Sequence, residues 1–224
     1  MIKEVIFDID NTLYSYDKGH AKGMDELCRY VNEHFQISRE EFQEMVQTCN
    51  QEIAQRLGKD NAAIHSRSIR FQTLLEKWGK PLFPHVKAMY HAYWDTLLRE
   101  SGPEPGAIAC MEELKKMGVT VGIGTDMTAM MQYEKLEAFG FAPYITHIVT
   151  SQEAGVEKPH PDFMALCIRK AGPITIPPVK RHQTAFTGRK TRRLLAEQRM
   201  NGNPFVQGFP LIAARHTASY KPVK

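Results

Sequence analysis

The sequence predicts an α/β fold with a mainly parallel sheet, and two observations support this prediction. An unbroken apolar run, Val5 to Phe7, opens the chain in the manner of a strand buried on both faces. Between residues 102 and 172, apolar strand-like stretches alternate with helix-like stretches. Repeated strand, helix, strand order joins parallel strands through helical crossovers. Ligands of such sheets bind at the carboxyl ends of the strands, where we therefore look for a site.

A long helical insert separates the first strand from the rest of the predicted sheet. Between residues 15 and 102, apolar and aromatic side chains recur at helical spacing, as at Met24, Leu27 and Val31. The stretch has roughly 85 residues, which is enough for a small helical bundle. We interpret Tyr90 and Tyr93 as part of its interior.

The second half of the chain supplies the remaining predicted elements. In order, they are a helix that ends at Met117, a strand at 119–125, a helix at 127–139, a strand at 145–150, and a helix that begins near Pro161. Glycine follows the first two helices, as is typical of a helix C-terminus. Asp126 is interpreted as the N-cap of the helix at 127–139.

Two carboxylates follow the first strand directly. Asp8 and Asp10 are two residues apart, so on an extended chain their side chains point the same way. Two like charges at that distance repel, and one would take up a proton unless a cation stood nearby. This stretch therefore predicts a metal ion and a basic side chain beside the two carboxylates.

Three short motifs can now be taken together: DIDNT at 8–12, GIGTD at 122–126 and GVEKPHPDF at 155–163. In this order they resemble the first three motifs of the haloacid dehalogenase (HAD)-like hydrolase superfamily, whose members are mostly Mg-dependent phosphatases. The resemblance covers residues 1 to about 172. It implies a Rossmann-like core formed by residues 1–14 and 103–172, with residues 15–102 as a helical cap of the C1 type.

The resemblance also implies roles for individual residues. Asp8 would attack phosphorus and form an aspartyl-phosphate, and Asp10 would act first as general acid and then as general base. Thr125 would donate a hydrogen bond to a phosphoryl oxygen. Lys158 would hold the phosphate and screen the repulsion between the carboxylates. Mg2+ would bind an oxygen of Asp8 and the backbone carbonyl of Asp10, and Thr12 would brace the turn after the strand.

The C-terminal segment, residues 173–224, departs from the family pattern. Residues 172–224 contain 10 Lys+Arg and 1 Asp+Glu, whereas residues 1–171 contain 19 and 24, which gives net charges of +9 and −5. The family's acidic fourth motif, which supplies a further metal carboxylate, is missing, since Arg189 follows Gly188 where an acid would be expected. We hypothesise that the segment is an out-of-frame or otherwise replaced C-terminus.

Two structural expectations follow for the C-terminal segment. Residues 183–187 could form a short strand and residues 191–200 a short helix. Because the family's later strands are atypical or missing here, the first strand is expected to become an exposed edge of the sheet.

The amino-acid composition predicts the cellular compartment. The chain is 42% hydrophobic and 24% charged, as in ordinary globular proteins. Its four cysteines have no paired spacing, which favours reduced thiols, and no stretch is apolar and long enough to span a bilayer. We therefore expect a cytoplasmic protein with no membrane partner, and leave its oligomeric state open.

The leading functional prediction is a phosphatase that hydrolyses a small phosphorylated metabolite with Mg2+. The alternative is a catalytically impaired binder of a phosphate or of another partner, without the full metal site. A phosphomutase would use the same intermediate. A dehalogenase is less well supported, because Asp10 is an acid/base that displacement of a halide does not need. Nucleic-acid binding by the basic tail lacks a recognition fold. His20 could touch the substrate from the cap, but we interpret it as a solvated linker residue.

Overall fold

The computed structural model describes residues 2–58 and 61–171, together with the backbone of residues 211–216. The strands are β1 (Ile2–Phe7), β2 (Thr120–Thr125), β3 (Ile145–Thr150) and β4 (Leu211–His216). The helices are α1 (Tyr16–Phe35), α2 (Arg39–Leu57), α3 (Arg67–Lys77), α4 (His85–Glu100), α5 (Ala107–Lys116), α6 (Ala129–Ala138), α7 (Ser151–Ala154) and α8 (Pro161–Lys170). Short 3-10 helices lie at Ala62–His65 and Ala142–Tyr144.

The four strands form one sheet in the order β3, β2, β1, β4. β1 and β2 are parallel, with Val5 opposite Val121, and β2 and β3 are parallel as well. Helices separate these strands along the chain, as the connection of two parallel strands requires. The predicted α/β fold with a mainly parallel sheet is therefore confirmed.

The expectation that β1 would form an exposed edge of the sheet is wrong. β4 pairs with β1 in antiparallel orientation, so that Val5 lies opposite Ala214 and Phe7 opposite Leu211. The pairing provides hydrogen-bond partners along the second side of β1, whose peptide groups would otherwise be left unpaired. The strand predicted at 183–187 and the helix predicted at 191–200 lie outside the described residues.

Both faces of β1 are buried, as its apolar run predicts. Val5 and Phe7 belong to the main hydrophobic core, which continues into the helical insert. Ile6 points to the other face, where it packs in a smaller cluster with Phe163 and Cys167 of α8. Both faces of the sheet are therefore covered. A ligand is expected at the edge where the carboxyl ends of the strands lie.

The insert between β1 and β2 is all-helical, as predicted, and α1 to α4 lie within it. The boundaries proposed for the core and cap domains remain a prediction. Gly19 and Gly23 lie on the side of α1 that faces α4, and both are buried. A Cβ built on Gly23 would lie 2.8 Å from Cδ2 of Tyr93 and 3.0 Å from its carbonyl oxygen. Close packing of α1 on α4 therefore depends on glycine at this position.

We expect Gly23→Ala to lower the free energy of unfolding by up to about 2 kcal/mol. Overpacking of this kind costs about 1–3 kcal/mol, which exceeds the gain of about 1 kcal/mol in helix propensity. Gly102→Ala is the matched control, because a Cβ there meets no atom within 4 Å. Urea denaturation measures both variants. Equal stability of the two variants would contradict the close packing of α1 on α4.

The structure describes the cysteines and the helices, on which the predicted cellular compartment depends. The four thiols are free and buried: Cys28, Cys49, Cys110 and Cys167. Burial raises the pKa of each of these thiols, which keeps them in the protonated, less reactive form. Within the described part of the chain, no helix is long and apolar enough to cross a membrane.

Candidate active site

A cavity of about 470 Å³ lies beside the carboxyl ends of β1 and β2. The sheet side contributes the four residues predicted from the motifs, Asp8, Asp10, Thr125 and Lys158, and also Asp126 and Met127. The helical insert contributes Tyr16, His20, Met24, Val46, Asn50, His65, Arg67 and Arg70. The structure thus brings all of the predicted site residues to one cavity.

A tight turn directly after β1 presents Asp8. The backbone N–H groups of Thr12 and Leu13 both donate to the carbonyl of Ile9, at 3.1 and 2.9 Å. Asn11 takes up a left-handed conformation with a φ of 54°, which asparagine tolerates better than most residues. The Asp8 carboxylate accepts a hydrogen bond from the Ile9 N–H at 2.8 Å. The predicted brace at Thr12 is therefore made by its backbone N–H.

Lys158 lies over Asp8. Its Nζ is 2.7 Å from Oδ1 of Asp8 and also donates to the carbonyl of Gly124 at 3.3 Å. The loop that carries Lys158 is fixed by Asp126, whose carboxylate accepts a hydrogen bond from the Lys158 N–H at 2.9 Å. The N-cap interpretation of Asp126 is wrong, because α6 begins three residues later and its N-cap residue is Thr128. Asp126 instead positions the predicted phosphate-binding lysine.

A second lysine holds Asp10. Nζ of Lys135 is 2.6 Å from Oδ1 of Asp10, the Tyr14 hydroxyl donates to the same oxygen at 2.5 Å, and Nε2 of Gln132 donates to Oδ2 at 3.0 Å. Burial alone would raise the pKa of Asp10, but the charge of Lys135 and these hydrogen bonds lower it below its ordinary value of 3.8. Asp10 is therefore an ionised carboxylate at neutral pH.

Lys135 is sealed from solvent. Its side chain has no exposed surface, whereas that of Asp10 is 27% exposed towards the cavity. The ring centroids of Tyr14, Tyr16 and Trp94 lie 5.3–5.6 Å from Nζ. Aromatic faces attract a cation, so these rings compensate part of the lost hydration. Each carboxylate of the DIDNT motif thus has its own lysine, one reachable from the cavity and one enclosed.

Thr125 ends β2 with a buried side chain that is 1% exposed as a residue. Its hydroxyl accepts a hydrogen bond from Nε2 of Gln132 at 2.7 Å and donates to the carbonyl of Asp126 at 3.2 Å. Gln132 therefore bridges Thr125 and Asp10. A hydrogen bond from Thr125 to a phosphoryl oxygen would replace the present one to the Asp126 carbonyl.

The motifs did not indicate Gln132 or Lys135, and both lie in α6. One signal was available in the sequence: Lys135 follows Met131 by four residues and precedes Leu136 in a helix expected to pack against the sheet. Met131 and Leu136 are buried. A lysine on a buried helix face needs an acidic partner, and a carboxylate of the DIDNT motif was a candidate for that partner.

The oxygen donors at the base of the cavity fit a magnesium ion in type. Within the described part of the chain, the hydrogen bond and the ion pair of Asp8 both involve Oδ1, so Oδ2 remains as a ligand. Magnesium prefers oxygen ligands and is often held by one or two carboxylates together with water and substrate phosphate. Residues 2–58 and 61–171 contain no cluster of three or more histidine, cysteine or acidic side chains suited to a metal.

Comparison with known proteins gives one family match. The family model described as haloacid dehalogenase-like hydrolase matches residues 5–201. The match covers the three motifs, the helical insert and the first part of the basic C-terminal segment. It therefore extends beyond residue 172, at which the resemblance inferred from the motifs ends.

Two curated relatives and one solved structure illustrate the similarity. A ribulose-1,5-bisphosphate 5-phosphatase from Halopiger xanaduensis is 35% identical over 161 residues, which covers 71% of this chain and 67% of the relative. A glyceraldehyde 3-phosphate phosphatase from Methanopyrus kandleri is 31% identical over 192 residues, covering 84% and 76%. The crystal structure of a 2-haloacid dehalogenase from Pseudomonas syringae superposes with a TM-score of 0.57 at 20% identity, covering 76% and 73%. That likeness shows the fold alone.

Proposed function

Because the chain belongs to the haloacid dehalogenase-like hydrolases, we propose that it is a magnesium-dependent phosphatase that hydrolyses a small phosphomonoester through an aspartyl-phosphate. Membership confirms the resemblance inferred from the motifs and the predicted class of enzyme, a hydrolase. The observation that supports the proposed chemistry is that Asp8 and Asp10 line one cavity and each is paired with its own lysine.

In the first step, the carboxylate of Asp8 attacks phosphorus, and the bond from phosphorus to the ester oxygen breaks. Asp10 gives its proton to that oxygen as it leaves. Asp10 is ionised in the free protein, so it must take up this proton from solvent when substrate binds. A phosphate dianion beside Asp10 raises its pKa, because a second negative charge disfavours the ionised form.

In the second step, water attacks the phosphorus of the aspartyl-phosphate. Asp10, again a carboxylate, accepts a proton from the water, and the bond between phosphorus and the Asp8 oxygen breaks. Inorganic phosphate is released and Asp8 is regenerated. Lys135 keeps Asp10 ionised and in position for this step, although the lowered pKa also makes the carboxylate a weaker base.

Lys158 and Thr125 would bind the phosphoryl oxygens as negative charge develops on them. Nζ of Lys158 is within reach of this position, because it already lies 2.7 Å from the attacking carboxylate. Magnesium, when bound, would be held by the Asp8 carboxylate and the backbone carbonyl of Asp10 and would offset charge on the phosphate. The size of the cavity, about 470 Å³, suits a small metabolite.

The relatives support a phosphorylated sugar as the class of substrate. The names of both curated phosphatases specify small sugar phosphates, one with two phosphate groups and one with a single phosphate group. Dehalogenation has less support, because Asp10 is held in place as an acid/base by three side chains.

A second candidate function is phosphate binding without turnover. It is favoured by the lack, within the described part of the chain, of a third carboxylate or imidazole clustered with Asp8 and Asp10. A magnesium ion held by so few protein ligands would bind weakly unless substrate phosphate completed its coordination. The two candidates differ in whether phosphate is released.

Turnover of p-nitrophenyl phosphate with and without Mg2+ tests this difference. We expect hydrolysis that falls by at least about 100-fold when EDTA removes the metal, because one electrostatic stabiliser of the transition state contributes a factor of that order. Addition of excess Mg2+ should restore the rate. No turnover, together with no Mg2+-dependent shift in Tm, would contradict the phosphatase and favour the binder.

A further inference from the structure

We propose that Arg67 and Arg70 of α3 form a second anion-binding subsite, and that the substrate's leaving group carries a second anionic group, a phosphate or a carboxylate. The inference rests on the proposed phosphatase function and narrows its class of substrate. The two arginines line the same cavity as Asp8 and Lys158, but they belong to the helical insert. Their spacing of three residues places them on one face of α3.

Neutral groups hold Arg67 in place. Its Nη2 donates to the hydroxyls of Tyr16 and Tyr93, at 2.7 and 2.9 Å, and its guanidinium carbon lies 4.3 Å from the Tyr93 ring centroid. The residue is only 8% exposed. These contacts fix the orientation of the guanidinium without neutralising its charge, which leaves an oriented cation at the wall of the cavity.

Arg70 has an incomplete set of hydrogen bonds. Its Nη2 donates to the carbonyl of Ile64 at 2.7 Å, while its Nε is buried and has no hydrogen-bond partner. Burial, and then the neighbouring charge of Arg67, lower the pKa of Arg70 to about 10, so it is still charged at neutral pH. Arg70 is partly buried, a partly buried cation without a counterion is costly in free energy, and a bound anion would lower that cost.

The other charged groups around the cavity do not supply that counterion. Among its described lining residues, the acids are Asp8, Asp10 and Asp126, all on the sheet side, and each lies within ion-pair distance of a lysine. No carboxylate of residues 2–58 or 61–171 lies within ion-pair distance of Arg67 or Arg70. The insert's wall of the cavity is therefore left with net positive charge.

The histidines on the insert's wall of the cavity do not change its net positive charge. His20 is not a solvated linker residue, because it lies within α1 and its Nδ1 is 2.7 Å from the Tyr93 hydroxyl. Burial, and then the charge of Arg67, lower the pKa of His20 to about 4, so His20 is neutral at pH 7. Nε2 of His65 lies 2.8 Å from Glu157. The two arginines therefore remain as the cations of the wall that lack an acidic partner in the described part of the chain.

The chemistry of the arginines defines the group they would bind. A guanidinium presents its donors in a planar fork that matches phosphate and carboxylate oxygens. With a phosphoryl group at Asp8 and Lys158, the far end of a substrate in this cavity would reach the insert's wall. A small molecule with anionic groups at both ends would therefore bind the cations of both walls at once.

Matched pairs of substrates test the subsite. Ribulose 1,5-bisphosphate against ribulose 5-phosphate probes a second phosphate, and 3-phosphoglycerate against glycerol 3-phosphate probes a carboxylate. We expect kcat/KM to be at least about 10-fold higher for the doubly anionic member of one pair, since a charge-assisted hydrogen bond contributes a factor of that order. The pair with the larger ratio identifies the group.

Variants of Arg70 test whether this residue causes the preference for the doubly anionic substrate. Arg70→Gln should reduce the ratio within the preferred pair by about 10-fold or more, mainly through KM, and Arg70→Lys should retain part of it. Arg56→Gln is the control, because Arg56 is exposed on α2 and does not line the cavity. A ratio near one for both pairs in the unmodified protein overturns the subsite, whether or not the variants fold.

A binding measurement separates this inference from the proposed function. Calorimetric titration of the Asp8→Asn variant with the same pairs reports affinity without turnover. Tighter binding of the doubly anionic member supports the subsite even if p-nitrophenyl phosphate is not hydrolysed, in which case only the phosphatase proposal fails. Equal affinities within both pairs overturn the subsite while leaving any measured hydrolysis intact.

Discussion

Replacing Asp8 by asparagine should reduce kcat by at least about 10⁴-fold, because the variant lacks the nucleophile of the proposed mechanism. An amide carries no negative charge to attack phosphorus, so no aspartyl-phosphate forms. The measurement is acid quenching of a reaction with a labelled phosphomonoester. The unmodified protein should retain label that hydroxylamine releases, and the variant should retain none.

The variant should nevertheless fold. The side chains of Asp8 and Lys158 are 30% and 20% exposed, so Lys158 stays partly hydrated when its partner is lost, and the free energy of unfolding should fall by about 1–2 kcal/mol, which a folded domain tolerates. Asp162→Asn is the matched control, since this carboxylate is 80% exposed in the first turn of α8. Its rate should be unchanged. Unaltered turnover and labelling of Asp8→Asn would exclude Asp8 as the nucleophile.

The residues that sequence reasoning found lie at the carboxyl end of a strand or in the connection that leaves it. Asp8 and Thr125 follow or end short apolar stretches whose strand character can be read locally, and Lys158 lies in the loop after β3 and the short helix α7. In a parallel sheet the carboxyl ends of the strands meet at one edge, so topology alone brings these residues together. Their convergence on one cavity needed no knowledge of side-chain packing.

The residues that sequence reasoning missed depend on packing between distant elements. Lys135 and Gln132 reach Asp10 only because one face of α6 turns towards the turn after β1, across about 120 residues of chain. The orientation of a helix on a sheet is set by all of its apolar contacts, and α6 has few local markers of which face is inward. The partner of Asp10 was therefore not identified from the motifs.

β4 was missed for a related reason. It pairs with β1 in the antiparallel sense although about 200 residues separate the two strands along the chain. A short apolar run within a basic segment does not specify its partner, since register and direction come from the strand it joins. The helical insert, in contrast, was predicted because its periodicity is local and extends over many turns.

Lys158 and Lys135 have different electrostatic roles at the site. Lys158 is partly accessible and lies on a loop, so it can move from Asp8 to a bound phosphate. Lys135 is enclosed and cannot leave Asp10 without exposing a buried charge. Lys135 is therefore a positioning residue for Asp10, and its contribution should appear in both stability and pH dependence.

We expect Lys135→Met to lower the free energy of unfolding at pH 7 by about 2–4 kcal/mol. Breaking a buried ion pair leaves an uncompensated charge, and the 27% exposure of Asp10 moderates that cost. The folded-state pKa of Asp10 lies below its ordinary value of 3.8, so the stabilisation is present above that pH and is lost as the pH falls through the lowered pKa. In the variant the pKa of Asp10 is raised, so the difference between the two proteins should narrow as the pH falls from that raised pKa to the lowered pKa of the unmodified protein.

Urea denaturation at a series of pH values measures this difference. Lys116→Met is the control with the same change of charge, because Lys116 is 68% exposed in a surface pair with Glu113, and its effect should stay within about 0.5 kcal/mol. Loss of the lysine also raises the pKa of Asp10, which must be ionised to act as the base towards water. The acid limb of the pH profile of kcat should therefore move to higher pH in Lys135→Met. An unmoved limb would mean that Lys135 stabilises the fold without controlling the ionisation of Asp10.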